Sequence, residues 1–178
     1  ISEDVFFSIP VQIGDTLTDR ELDNILVADN QQKILDFALN LLSYRMRSKV
    51  ELMHRLKRKK FNEDGIYSVM EKLETKGYID DQKFALAFAR EKVRRKFIGP
   101  MALRSEFSVH MIDPDILEYT LKKIYDEFPE HTLMDQLLKK RKVPMNMPLD
   151  ITEKKNAVNT LRNKGFSWDR IQEILVKR

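Results

Sequence analysis

From Asn30 onward, apolar residues recur at the three- and four-residue spacing of a helix with one buried face: Ile34, Leu35, Ala38, Leu41 and Leu42, then Leu52 and Leu56, then Ile66, Val69, Met70 and Leu73. The spacing predicts three successive helices, and their boundaries carry chemical marks. Ser48 with Glu51 makes a Ser-x-x-Glu capping box, Asn62 precedes the third helix, and Gly77 stands where a left-handed residue would end it.

The pattern then returns. Placing Leu56 over Phe107 and Leu161 aligns "LKRKKFNEDGI", "FSVHMIDPDIL" and "LRNKGFSWDRI". Five positions after the first residue of each stands Phe61, Ile112 or Phe166, followed by a cap residue, Asn62, Asp113 or Ser167. Two residues past each cap lies Asp64, Asp115 or Asp169, in a first turn where the helix dipole favours negative charge. A leading helix precedes each pair, over Asn30–Tyr44, Asp81–Phe97 and Glu130–Lys142. The predicted fold is all-α, with tandem three-helix, helix-turn-helix-like repeats in an elongated, curved array.

The repeats occupy residues 30–79, 80–128 and 129–178, after an N-terminal remnant or linker over 1–29. Gly99-Pro100 makes a tight helix entry, and "VPMNMPLD" reads as a proline-punctuated loop before the last helix pair. "VFFSIPVQI", ahead of Gly14-Asp15, is the one stretch that reads as a strand, a short β remnant.

Composition narrows the function. The chain is 42% hydrophobic and 34% charged, enough for a core beneath a heavily charged surface. No run reaches the roughly 18 apolar residues that span a bilayer, so no membrane association is expected. The start at Ile1, with neither leader nor initiator Met, reads as trimmed. Absence of cysteine removes disulfides and thiolate chemistry and fits a reducing cytoplasm. The net charge of +4 hides an asymmetry: residues 1–29 hold seven acids against Arg20, a net of −6, which leaves +10 on the remainder. Such a body favours a polyanion or a partner with an acidic groove.

Candidate chemistry is sparse. Asp80 and Asp81 are adjacent carboxylates, but their place before a helix reads as capping rather than acid–base work. His54, His110 and His131 lack metal-ligand spacing, and there is neither a Gly-x-Ser-x-Gly turn nor a glycine-rich phosphate loop. No cofactor, metal or catalytic residue is expected, and the chain reads as a binding protein. The basic runs are the strongest feature. Arg45, Arg47, Lys49, Arg55, Lys57, Arg58, Lys59 and Lys60 face only Glu51 in their own stretch; Arg90, Lys92, Arg94, Arg95, Lys96 and Arg104 face Glu91. Arg90 and Arg94 share one helical face while Phe84 and Phe88 define another, and a cationic face over two turns repels itself unless an anion relieves it. The aromatics Phe61, Phe84, Phe88, Phe97, Phe107 and Phe166 repeat with the scaffold and read as core pivots. Trp168, the first residue of its helix, either packs across the turn or stays exposed as a contact residue.

"GYIDDQKFALAF" at 77–88, followed by Arg90, Lys96, Gly99-Pro100 and "LRSEF" at 103–107, resembles the signature of the RecX regulatory proteins, bacterial modulators of the RecA recombinase. "LLSYRMRSKVEL" at 41–52 and "LRNKGFSWDRIQEIL" at 161–175 are similar to the flanking motifs of that family. The resemblance implies a cytoplasmic, non-enzymatic protein, expected to be a monomer, that binds RecA filaments on DNA. It would lower their ATP hydrolysis, strand exchange and coprotease activity, and so tune recombinational repair and the SOS response. Single- or double-stranded DNA is a further partner it implies. Carried over by position, Arg45 and Arg47 match the basic pair after the first helix, and Arg90, Arg95, Lys96 and Arg104 match the second basic group. Lys57, Arg58 and Arg94 complete the candidate basic face by their place in the same runs. Gly77, Tyr78, Asp80 and Asp81 match a structural turn, and Gly99 and Pro100 the joint between repeats. The sequence departs from the family pattern at Phe97-Ile98, where a glycine and an aromatic often precede Gly-Pro, and at Met46 and Met101. A DNA-binding helix-turn-helix repeat protein without a recombinase partner is the alternative. Against it, Asp64, Asp115 and Asp169 place negative charge where such readers meet phosphate.

Overall fold

The computed structural model describes residues 1–9, 12, 14–143 and 150–176. Ten α-helices follow one another among these residues: α1 (Glu3–Ser8), α2 (Asp19–Tyr44), α3 (Lys49–Arg58), α4 (Glu63–Thr75), α5 (Asp81–Lys96), α6 (Pro100–Phe107), α7 (Pro114–Glu127), α8 (Glu130–Lys140), α9 (Ile151–Asn163) and α10 (Trp168–Val176). A short 3₁₀ turn, Ser108–His110, links α6 to α7. The chain forms two compact units, Ile1–Asp81 and Gln82–Arg178.

In the first unit, Ile34 and Ala38 of α2, Leu52 and Leu56 of α3, and Ile66, Val69, Met70 and Leu73 of α4 close one core. These are the residues that the helical spacing selects. Each fully buried leucine contributes about 1.5–3 kcal/mol. In the second unit α5–α7 and α8–α10 share a core that runs from Phe84 and Val93 through Leu103 and Phe107 to Leu161, Phe166 and Ile171.

The repeat is written in the backbone as well as in the side chains. Lys60, Met111 and Gly165, each four residues past the aligned Leu56, Phe107 and Leu161, all take positive φ (62°, 46° and 80°). This left-handed residue reverses the chain just before the pivots Phe61, Ile112 and Phe166. Helices α4 and α9 end alike: the amides of Gly77 and Gly165 donate to the carbonyls of Glu74 and Arg162, and those of Tyr78 and Phe166 to Leu73 and Leu161. Lys142 and Val143 close α8 the same way, although Lys142 must hold φ 58° with a side chain.

Two expectations need correction. The segment read as a β remnant is helical over Glu3–Ser8. Ser2 stands at its N-cap, Glu3 and Asp4 occupy the first turn, and Val5 is buried. A strand needs a partner ladder, whereas here the Ser2 amide donates to Asp29 Oδ1 of α2 at 2.5 Å. Pro10, Val11 and Ile13 of that stretch, and residues 144–149 of the proline-punctuated loop, lie outside the described residues. The first leading helix begins at Asp19 rather than Asn30, because Thr18 and Glu21 form a reciprocal capping box.

The predicted joint at Gly99-Pro100 docks α6 on the α9–α10 turn. The Gly99 amide donates to Lys164 O at 2.8 Å and the Met101 amide to Gly165 O at 3.2 Å. A Cβ on Gly99 would lie 2.5 Å from Gly165 O, and one on Gly165 would lie 2.3 Å from Ala102 N. Pro100, at the first helical position, gives up an amide that the helix could not use. Tyr125 adds a bond from its hydroxyl to Ile98 O at 2.9 Å, and burial pushes its pKa up.

Candidate functional site

In the first unit the basic residues gather around one carboxylate. Glu51 lies in the first turn of α3, and its Oε1 accepts from Arg45 at 2.6 Å, from Arg55 at 3.2 Å and from Arg47. Arg47 is the buried member, 7% exposed, and its Nε donates to Leu41 O at the end of α2. Burial pushes the Glu51 carboxyl up, but the guanidinium hydrogen bonds outweigh it and hold its pKa below the ordinary carboxylate value. Because these cations occupy its side chain, the Ser48–Glu51 capping box is only half made. Ser48 Oγ accepts from the Glu51 amide at 3.2 Å, while the second cap on α3 is Asp81, whose Oδ1 accepts from the Lys49 amide at 2.8 Å. Burial raises the Asp81 pKa despite that bond. Tyr78 beside it is exposed.

Lys57 leans on Glu63 at 2.8 Å, and its ammonium lies 5.8 Å from the Tyr67 ring. Arg58 ends α3, exposed and with no carboxylate partner among the described residues. The first unit therefore presents a cationic α3 together with the segment before it, in which Arg45, Arg47 and Arg55 share one anion.

In the second unit most partners come from other helices. Arg90 of α5 makes bonds of 2.7–3.1 Å to Glu127 of α7. Arg104 of α6 grips both oxygens of Glu118 of α7. Lys92 and Lys96 of α5 converge on Glu106 of α6. Arg95 lies 3.3 Å from Glu91. Each guanidinium or ammonium holds its glutamate below the ordinary carboxylate range: Arg90 acts on Glu127, Arg104 on Glu118, and Lys92 with Lys96 on Glu106. Arg94 is exposed and, among the described residues, makes no ion pair, although its charge also acts on Glu127.

The structure thus splits the nine predicted cations. Arg45, Arg47, Lys57, Arg90, Arg95, Lys96 and Arg104 are ion-paired within the chain, and only Arg58 and Arg94 are not. Sequence reasoning missed the glutamates of α6 and α7 as partners. It also missed Lys140, Arg141 and Lys164, which share a cleft with Arg95 and Lys96. The run Lys139–Lys142 signals the first two, whereas Lys164 stands alone in the sequence. Phe84, Phe107 and Phe166 are buried, with Phe88 stacked on Phe84 at 5.7 Å between centroids. Trp168 is 52% exposed, the exposed rather than the packed alternative. Asp64, Asp115 and Asp169 all lie in first turns. Among the described residues, no three His, Asp or Glu side chains gather to hold a metal ion, and no helix is long and apolar enough to cross a membrane.

Comparison with known proteins agrees with this architecture. A family model described as "RecX, first three-helix domain" matches residues 35–73, which lie within α2–α4. A regulatory protein RecX from Pelodictyon phaeoclathratiforme is 30% identical over 83% of this chain and 89% of its own length. The Bacillus subtilis regulatory protein RecX is 31% identical over 95% of this chain, which spans 64% of that longer relative. A crystal structure of RecX from Lactobacillus salivarius superposes with a TM-score of 0.70 at 27% identity, covering 84% of this chain and 97% of that one. At 30% identity over most of the length of the Pelodictyon protein, the chain belongs to the RecX family of regulatory proteins.

Proposed function

We propose that this protein binds RecA filaments on DNA in the cytoplasm. There it lowers their ATP hydrolysis, strand exchange and coprotease activity, and so tunes recombinational repair and the SOS response. The observation that carries this reading is the relationship to a regulatory protein RecX across 89% of that protein's length. The charge distribution supports it. With +10 beyond residue 29, the body keeps an excess of cations after its internal pairs are made, and a filament of protein on a nucleic acid is a polyanion. The role is one of binding, with no bond made or broken by this chain.

The alternative, a DNA reader acting without a recombinase, is less well supported. A recognition helix meets phosphate and base edges with its N-terminal residues, and here those turns carry Asp64, Asp115 and Asp169.

The test is the ATPase rate of a bacterial RecA assembled on single-stranded DNA, titrated with this protein from far below the recombinase concentration. Inhibition at substoichiometric ratios is expected. Replacing the two unpaired cations, Arg58→Glu with Arg94→Glu, should raise the half-inhibitory concentration about tenfold with the helical circular dichroism unchanged. No inhibition at equimolar protein, with binding to bare DNA retained, would transfer the assignment to the DNA reader.

A further inference from the structure

In the second unit, the C-terminal ends of α5, α8 and α9 converge on a cleft of about 380 Å³, lined by Arg95, Lys96, Lys140, Arg141, Lys164 and the ring of Phe97, with no carboxylate in its wall. Lys96 is held by Glu106 and Arg95 by Glu91. Lys140, Arg141 and Lys164 have no carboxylate partner among the described residues. Cations at helix C-termini are ordinary, since each end carries about half a negative charge. Three ends supply about −1.5, which offsets only half of the three unpaired cations. The remainder is an unneutralised cationic cleft, unlike the basic runs of α3 and α5, whose residues are mostly tied to glutamates.

Phe97 supplies a second, independent feature. It takes φ 50°, a left-handed conformation that suits glycine and costs any residue bearing a Cβ. There it packs against the core and stays partly exposed at the cleft, its ring 5.5 Å from the Lys140 ammonium. A partly exposed aromatic set among cations points to a ligand with both a flat face and negative charge. Single-stranded nucleic acid has that chemistry: phosphates track a cationic groove and bases stack on aromatic rings, while a duplex hides its base faces. A cleft of this volume falls in the size range that holds one small-molecule-sized group, and so one nucleotide of a strand.

We propose that the α5–α8–α9 cleft binds a nucleotide of a single strand, with phosphate on Lys140, Arg141 and Lys164 and the base against Phe97. This deepens the functional reading by assigning a nucleic-acid contact separate from Arg58 and from Arg94. Because its test contains no recombinase, the two readings fail separately.

The experiment measures fluorescence anisotropy of a labelled oligothymidylate with the 178-residue chain across a salt series. The variant K140Q/R141Q/K164Q should weaken binding at least tenfold at low salt and flatten the log–log salt slope by about 0.7, the loss of one single-strand phosphate contact. A charge-matched control, K122Q/K154Q/K155Q, removes three exposed lysines away from the cleft and should cost less than threefold. The substitution Phe97→Gly relieves the backbone, so its melting temperature should hold or rise. It should weaken the normal strand about fivefold while leaving an abasic strand unaffected. Equal losses in the cleft and control variants, or a Phe97→Gly effect that persists on the abasic strand, would overturn the proposal. Displacement of the strand by an equal nucleotide concentration of a nucleoside triphosphate would overturn it in favour of a free nucleotide.

Discussion

In the first unit three guanidinium groups share the single carboxylate of Glu51, whereas in the second Arg90, Arg104 and the Lys92–Lys96 pair each take a separate glutamate from α6 or α7. The sequence environment looks the same in both cases, a dense basic run with one local acid. The fold treats them differently. Glu51 reaches Arg47 and Arg55 because they sit four residues away on either side, so its cluster is set by helix geometry and keeps a surplus of positive charge. In the α5 run Arg90, Lys92 and Lys96 are tied by tertiary contacts, which convert apparent binding residues into straps between helices. A count of charges along the chain measures available cations only after the fold has distributed its acids.

The largest effect that tests this contrast is Glu51→Gln. It leaves Arg47, 7% exposed, without its counter-charge, and breaking a buried pair by removing one partner is strongly destabilising. Urea unfolding should show a loss of about 3 kcal/mol. Adding Arg47→Met to the same chain should restore much of it, since removing both partners leaves no buried charge unpaired. A loss below about 1 kcal/mol would mean that the cluster behaves like surface pairs. Glu106→Gln should cost less, about 1 kcal/mol, because Lys92 and Lys96 can turn their ammonium groups to water.

Acidification compares the two units in one experiment. Glu51, Glu106, Glu118 and Glu127 all have folded pKa values lowered by their cations. Their stabilisation is complete above the unfolded carboxylate value of about 4.3 and is lost as pH falls through the lower folded values. Burial raises Asp81 and Glu130, which act in the opposite sense above that range, so the melting temperature should stay level or rise slightly from pH 7 to about 5 and drop below about 4. A Glu118→Gln/Glu127→Gln double variant should keep the flat region and lose part of the drop. Asp29 extends the logic to the N-terminal helix: hydrogen bonds from Lys33 and from the Ser2 amide hold it at about 2. Its tie to α1 should survive to lower pH than the glutamate pairs, measured as amide exchange at Phe6 and Phe7.

How much of this was legible in the sequence follows from which interactions are local. Helices α3 and α4 were readable from Leu52, Leu56, Ile66, Val69 and Leu73, because a buried stripe repeats with the helix period. The first half of α2 was not, since Leu22, Leu26 and Val27 are exposed and make no such stripe, although Thr18 and Glu21 spell a capping box. The apolar run around Phe6 and Phe7 imitates a strand, but both rings stay exposed and only Val5 is buried. The repeat register was legible down to its caps, yet it gave no sign that Lys60 and Met111 would share the left-handed conformation of Gly165. Least visible were the pairs Arg90–Glu127 and Arg104–Glu118, whose partners lie on different helices and carry no mark of one another in the sequence.

The smallest effect on stability is the most informative about function. Glu127→Gln removes the counter-charge of an exposed Arg90, and a solvated guanidinium needs no partner, so the unfolding midpoint should stay within experimental error. What changes is availability. Released from its strap, Arg90 joins Arg94 on the outer face of α5, and the local charge rises by one. If that face meets the acidic surface of a filament, association quickens and the half-inhibitory concentration against the RecA ATPase should fall about two- to threefold at low salt, with the gain fading as salt rises. An unchanged value would mark Arg90 as a strap alone and confine the filament contact to the cations that were never paired.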